Sequence, residues 1–174
     1  MRLVMPHSGS AAISFRSPLL EYSAKVRTPF AVLGIRERQG RIIAFDYLPV
    51  SVEELAPKST LATEAARQLL AFIEDPLNEF DLPISTQGTP FEDRVWREIR
   101  EIPPGQVRTY GDIARRVATM PRAVGGACGR NPLPLIIPCH RVVAAGGKIG
   151  GFMGRIEGDS LAIKRWLLTH EGVL

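Results

Sequence analysis

Residues 110–130 read YGDIARRVATMPRAVGGACGR, and this stretch decides the fold of the second half of the chain. Tyr110–Val117 makes one short helix. Pro121, which has no N–H to leave unsatisfied and a φ already set for a helix, opens another over Arg122–Arg130. Two short helices joined by a tight turn, the second with Arg at both ends, suit a helix-turn-helix. Gly125-Gly126 inside the second helix costs about 1 kcal/mol per glycine relative to alanine. Two readings account for that cost equally well: close approach of another molecule to the backbone, or a tight helix–helix crossing.

On the N-terminal side, Thr89-Pro90-Phe91-Glu92 combines a capping Thr, a Pro at the first helical position and a Glu three residues after the cap. Phe91, Val95, Ile99 and Ile102 follow on one face with Trp96 beside them, and Pro103-Pro104-Gly105 ends the helix. Gln106–Thr109 is a short extended link. On the C-terminal side stands Ile137-Pro138-Cys139-His140-Arg141-Val142-Val143, a thiol beside an imidazole and a guanidinium. Neighbouring positive charge or a base lowers a cysteine pKa from about 8.5 and makes the thiolate available. Cys-His alone is not specific, because most buried cysteines are inert. The flanks add the specificity: Leu135–Ile137 reads as a buried strand-like run, Pro138 breaks it, and Gly146, Gly147, Gly150, Gly151 and Gly154 follow. Cys139 is therefore expected at the mouth of a glycine-rich pocket. Cys128 reads as a small apolar residue of the helix rather than as a second reactive thiol. Two cysteines with His7, His140 and His170 give no metal-ligand spacing, so no metal is expected.

The first half reads differently. Phe30–Ile35 and Arg41–Leu48 are two strands joined by the polar turn Arg36–Gly40. Thr60–Ile73 places apolar residues at 61, 65, 69, 72 and 73, a helical spacing. Residues 79–87 form an extended linker. No grouping here is suited to chemistry, so this half is a small α/β support.

At 174 residues and 45% apolar content, the chain suits one large domain or two small ones. No apolar run reaches the roughly 20 residues of a membrane span, and Met1–Arg16 lacks a secretory pattern. Reduced thiols and a cytoplasmic location follow as expectations. Residues 1–88 hold 9 Lys/Arg against 10 Asp/Glu, whereas residues 89–174 hold 13 against 8. A basic second half suggests a polyanionic partner.

Residues 138–142 (PCHRV), 122–127 (RAVGGA), Asn131-Pro132, Thr89-Pro90-Phe91, Val95-Trp96, Thr109-Tyr110-Gly111, Lys164, Trp166-Leu167-Leu168 and His170-Glu171-Gly172 stand in one register. Together they resemble the O6-alkylguanine-DNA alkyltransferases over residues 89–174. That resemblance implies an α/β N-terminal domain over 1–84, RNase H-like, a linker at 85–88, and a mainly α, winged-helix-like domain over 89–174 with a DNA-binding helix-turn-helix. It implies direct reversal of DNA damage: an O6-alkylguanine is flipped from duplex DNA and its alkyl group moves irreversibly to Cys139. His140, oriented by Glu171, would deprotonate Cys139 through a water. Tyr110 would protonate the leaving guanine, and Asn131 would hold the turn that shapes the site. Arg122, Ala123, Gly125, Gly126, Arg130 and Tyr110 would contact DNA in the minor groove, with Arg122 replacing the extruded base. Pro134, Val142, Val143, Gly150, Phe152, Met153 and Gly154 would form the base pocket. The scheme uses no cofactor and a monomeric protein acting at the nucleoid.

The chain departs from that family at Phe152-Met153, where a Tyr and a small residue are usual, at an insertion-like Ile156–Ser160, and at Cys128. Two other classes differ on specific residues. A non-catalytic lesion binder of the same fold lacks the acceptor Cys, and a helix-turn-helix regulator needs neither PCHR nor the glycine-rich pocket.

Overall fold

Gln39 and Gly40 both take positive φ, 50° and 69°, and reverse the chain in two residues as a twisted hairpin requires. The computed structural model describes residues 21–154 and 159–174. The hairpin joins strand β2 (Val32–Arg38) to β3 (Arg41–Leu48), and β1 (Ala24–Arg27) adds to the other edge of β2, all antiparallel. The turn is shorter than the expected Arg36–Gly40. Arg36–Arg38 continue the strand across a register shift at Arg36/Glu37, and buried Arg36 pairs with Asp46 on β3 at 2.8 Å. Strand β1 has no counterpart in the sequence reading.

Helix α1 (Thr60–Glu74) is capped by Ser59, whose hydroxyl accepts from the Ala62 N–H. It buries Ala62, Ala65, Ala66, Leu69 and Phe72. The linker is fastened to β3, since Ile42 N–H donates to Pro83 O and Ser85 N–H donates to Ile42 O. Helix α2 (Pro90–Arg100) begins at the expected capping box, with Thr89 and Glu92 each accepting from the other's backbone. Then come β4 (Arg108–Thr109), α3 (Tyr110–Arg116) and α4 (Pro121–Gly129). The turn between α3 and α4 is closed by Ala118 at φ 54° and by Thr119 N–H donating to Ala114 O. Strand β5 (Val142–Val143) pairs in parallel with β4, and α5 (Asp159–His170) closes the chain. Asp159 and Ser160 thus open a helix; the rest of the insertion-like segment lies outside the described residues.

Leu135–Ile137 is not a strand. Leu135 sits at φ 74° and Ile137 N–H donates back to Leu133 O at 2.8 Å, so the run is a buried turn. One apolar core runs through both halves, from Leu33, Phe45 and Leu69 to Val95, Ile113 and Leu167. Phe45 N–H donates to Pro132 O, and His170 Nε2–H donates to Phe72 O while the His170 ring stacks on Trp166. These bonds attach the sheet and α1 directly to the segments that build the site. Among the described residues no helix is long and apolar enough to cross a membrane.

Candidate active site

The site is assembled by pairings that cross the sequence. The Trp96 indole N–H donates to Ala127 O at 2.9 Å, fixing α4 against α2. Glu92, already part of the capping box, also accepts from Arg130 Nε, so Arg130 is tied to α2. Its expected place among the DNA contacts is thereby reduced to the exposed part of the side chain, 44%. The β4–β5 pairing brings Tyr110, at the start of α3, beside the chain that has just left Cys139.

Cys139 opens a single 3₁₀ turn, Cys139–Arg141, and is 4% exposed. Asn131 organises it: Nδ2 donates to Ile137 O at 2.7 Å and to Cys139 Sγ at 3.1 Å, while Oδ1 accepts from Leu133 N–H. Burial pushes the Cys139 thiol well up; the Asn131 donor and the nearby Lys164 ammonium pull it back. His140 Nε2 lies 2.8 Å from Glu171 Oε1, and both side chains are essentially out of solvent. Since a carboxylate only accepts, Nε2 carries the proton and Nδ1 keeps the lone pair. Burial lowers the His140 pKa, so the ring is neutral at neutral pH. Arg141 closes the chain of charges, donating through Nε and Nη2 to Glu171 and through Nη1 to Ile102 O at 2.7 Å. Burial alone would raise the Glu171 carboxyl; hydrogen bonds from His140 and Arg141 hold it down, at about 2.

Above the thiol is a cleft of about 380 Å³ walled by Tyr110, Arg122, Gly125, Cys128, Phe152 and Met153, large enough for a purine. It is apolar with few polar atoms. Pro134 lines a smaller extension behind Cys139, and Gly154 lies at the cleft edge. Val142 and Val143 are not in this wall. Their pairing with Arg108 and Thr109 turns them into the core, 0% and 9% exposed. Gly150 is also elsewhere, because a Cβ there would meet the Tyr110 ring at 3.0 Å. It backs Tyr110 and does not face the cleft. The two readings of Gly125-Gly126 separate: a Cβ on Gly125 would meet only the Tyr110 ring edge, at 4.0 Å, and one on Gly126 the Arg130 guanidinium, at 3.4 Å. Gly125 lines the cleft, and among the described residues only the Tyr110 side chain comes within 4.0 Å of a Cβ placed there. Ala123 is half-buried on α4.

Three features escaped the sequence reading. Lys164 is fully buried, donates to Val142 O at 2.6 Å and Gly151 O at 2.9 Å, and has its pKa lowered by burial to about 8. Its signal was available: Ser160, Ile163, Lys164, Leu167 and Leu168 form the buried stripe of α5, and a Lys inside such a stripe needs a partner. Cys128 packs against the core as the small apolar residue expected, and it also lines the cleft together with Cys139. Gly129 touches the pocket loop, and a Cβ there would meet the Gly154 backbone at 3.3 Å.

Comparison with known proteins gives the same frame. The family described as 6-O-methylguanine DNA methyltransferase, DNA binding domain, matches residues 90–173. The methylated-DNA–protein-cysteine methyltransferase of Mycolicibacterium paratuberculosis is 35% identical over 148 residues, 80% of this chain and 87% of that protein. The chain belongs to this family. The Methanosarcina acetivorans member is 44% identical over 111 residues, 63% of this chain and 68% of its own. The crystal structure of the Mycobacterium tuberculosis O6-methylguanine methyltransferase superposes with a TM-score of 0.74 at 32% identity, covering 88% of this chain and 93% of that one. The M. tuberculosis OGT solved in complex with DNA gives 0.72 at 33%, covering 84% and 90%. The methyltransferase fold, a small sheet with helices, is thus the fold of this chain.

Within this family member Phe152 has two jobs, since it lines the cleft and packs its ring edge-on to Tyr47 at 6.1 Å while only 6% exposed. Phe152→Ala should lower stability by roughly 3–5 kcal/mol from the cavity left behind. It should also cut transfer by the protein that remains folded, since the stacking face is worth about 1–3 kcal/mol. Chemical unfolding and single-turnover transfer on one sample check both losses. Unchanged transfer per folded molecule would confine Phe152 to the core.

Proposed function

We propose that this protein repairs O6-alkylated guanine in duplex DNA by direct reversal, accepting the alkyl group on Cys139 in one irreversible turnover. The observation that carries the reading is the acceptor thiol at the floor of a purine-sized apolar cleft, hydrogen-bonded by Asn131 and backed by the His140–Glu171–Arg141 chain. Tyr110 is a wall of the same cleft, its hydroxyl donating to Gly151 O at 3.0 Å. Burial raises its pKa, so it holds its proton at neutral pH.

In this mechanism His140 Nδ1 takes the thiol proton through one water, and the Cys139 sulfur attacks the sp³ carbon attached to O6. The carbon–oxygen bond breaks while Tyr110 supplies the proton that makes guanine a competent leaving group. The thioether left on Cys139 has no hydrolytic exit, so one protein serves one lesion. The α3–α4 pair acts as a DNA-binding helix-turn-helix, with α4 along the minor groove. Exposed Arg122 at its start fills the space of the flipped base. The protein works as a monomer, in the cytoplasm at the nucleoid.

Mixing the protein with a duplex carrying one O6-methylguanine and weighing it tests the reading. A single methyl should appear on Cys139, and a second portion of lesion should stay unrepaired. Tight binding with no mass gain would make this a lesion-binding protein instead.

Arg122→Ala should slow duplex repair roughly 10- to 100-fold, a loss of about 1.4–3 kcal/mol. Transfer from free O6-benzylguanine, which needs no extrusion, should hardly change. Equal losses on both substrates would put Arg122 in the pocket. The charges around Cys139 also set a pH profile. Because burial holds the thiol protonated, the transfer rate should climb with pH, then flatten near 8 as Lys164 loses the charge that stabilises the thiolate. A stopped-flow series on free O6-benzylguanine reads this, and a rate falling steadily with pH would remove the thiolate from the slow step.

A further inference from the structure

The mechanism above uses one of the two cysteines, yet both line the cleft and its extension behind the acceptor. Cys128 is in the last turn of α4 and lines the cleft with Arg122, Gly125 and Cys139, and it lines the smaller extension with Cys139 as well. One residue fixes both: Asn131 donates its backbone N–H to Cys128 O at 3.2 Å and its side-chain amide to Cys139 Sγ at 3.1 Å. The two cavities are thus each lined by a second soft nucleophile besides the first, and a single-acceptor reaction leaves it unused.

We propose that Cys128 is a second acceptor for bifunctional lesions, closing a two-carbon thioether bridge with Cys139. The substrate class is an O6-alkylguanine whose alkyl group carries a leaving group, such as halide, on its second carbon. This rests on the proposed transfer to Cys139. In the first step the Cys139 sulfur bonds to the first carbon, the bond to O6 breaks, and guanine departs with a proton. The product, Cys139–S–CH2–CH2–halide, is itself an electrophile, because its sulfur displaces halide to form a three-membered sulfonium. In the second step the Cys128 sulfur bonds to one carbon of that ring, the strained carbon–sulfur bond opens, and the Cys128 proton passes to solvent. The net second step releases halide and a proton and consumes no oxidant, reductant or co-reactant. Two cysteines lining one cavity of about 40 Å³ suit this closure, because an S–CH2–CH2–S unit is short and folds to bring its sulfurs to about van der Waals separation. An adjacent thiol also outcompetes water and DNA nucleophiles by proximity. The consequence is that a lesion able to cross-link protein to DNA is discharged inside the protein.

The test uses the full chain with two duplexes, one bearing O6-methylguanine and one bearing O6-(2-chloroethyl)guanine. The methyl duplex should leave one free thiol and one methyl. The chloroethyl duplex should leave no free thiol and add one ethylene bridge less two hydrogens. Trypsin cuts between the cysteines after Arg130, so the bridge should appear as Ala123–Arg130 joined to Asn131–Arg141. Cys128→Ser and Cys128→Ala should both lose the joined peptides and give a hydroxyethyl group on Cys139 or a covalent link to DNA. A hydroxyethyl adduct or a DNA link as the main product of the unaltered protein would overturn the proposal. A missing methyl in the first arm would instead overturn the transfer reading itself.

Discussion

Cys139→Ala should abolish alkyl transfer while duplex binding stays within about twofold of the unaltered protein, a change well under the 1.4 kcal/mol of one tenfold step. The expectation of complete loss follows from chemistry. Among the described residues the Asn131 side-chain amide donates to the sulfur of Cys139 and not to that of Cys128, and the substitution removes no cation that could meet a phosphate. Cys128 lines the same cleft, but its thiol lacks the Asn131 side-chain donor. A labelled-methyl assay and a filter-binding titration on the same preparation read both quantities. Residual transfer to Cys128 in the variant would show that the cleft alone, without the organised acceptor, supports the reaction. Loss of binding together with transfer would assign Cys139 a structural part in the DNA face.

What the sequence disclosed, and what it hid, follows the range of each interaction. The start of α2 was readable because its capping box is local: Thr89, Pro90 and Glu92 satisfy backbone groups within three residues. The same holds for α4, opened by Pro121. The second task of Glu92, gripping Arg130 across 38 residues, left no local trace. Leu135–Ile137 reads as strand-like because apolar runs are shared by strands and buried turns. The positive φ of Leu135 is imposed by the Asn131 bonds around it, not by Leu itself. The resemblance implies a place for Val142 and Val143 in the base pocket, but the two-residue pairing with Arg108–Thr109 turns them inward. Cys139, Tyr110 and Phe152 meet at one cleft and Asn131 bonds to Cys139, whereas the place of Cys128 in the wall of that cleft depends on how α4 sits on α2. That placement is set by Trp96 and Ala127, which no spacing in the chain reveals.

Glu171→Gln should be the most damaging single change outside the acceptor, lowering stability at neutral pH by about 3–5 kcal/mol. It leaves the Arg141 guanidinium, with its side chain 9% exposed, buried against a neutral amide. It also deprives His140 Nε2–H of its charged acceptor, so the imidazole loses the partner that fixes its tautomer and angle. Transfer per folded molecule should fall with it. The carboxylate origin of the effect has its own signature. The folded-state pKa of Glu171 is about 2, below the ordinary 4.5, so its stabilisation is complete above 4.5 and is lost as pH falls through 4.5 toward 2. The span corresponds to at most about 3 kcal/mol. Urea unfolding of both proteins across that range should show the gap between them narrowing as pH drops, because acid does to the native protein what the substitution has already done. A gap that stays constant with pH would mean that shape and packing at position 171, rather than its charge, hold the end of α5 against the acceptor turn.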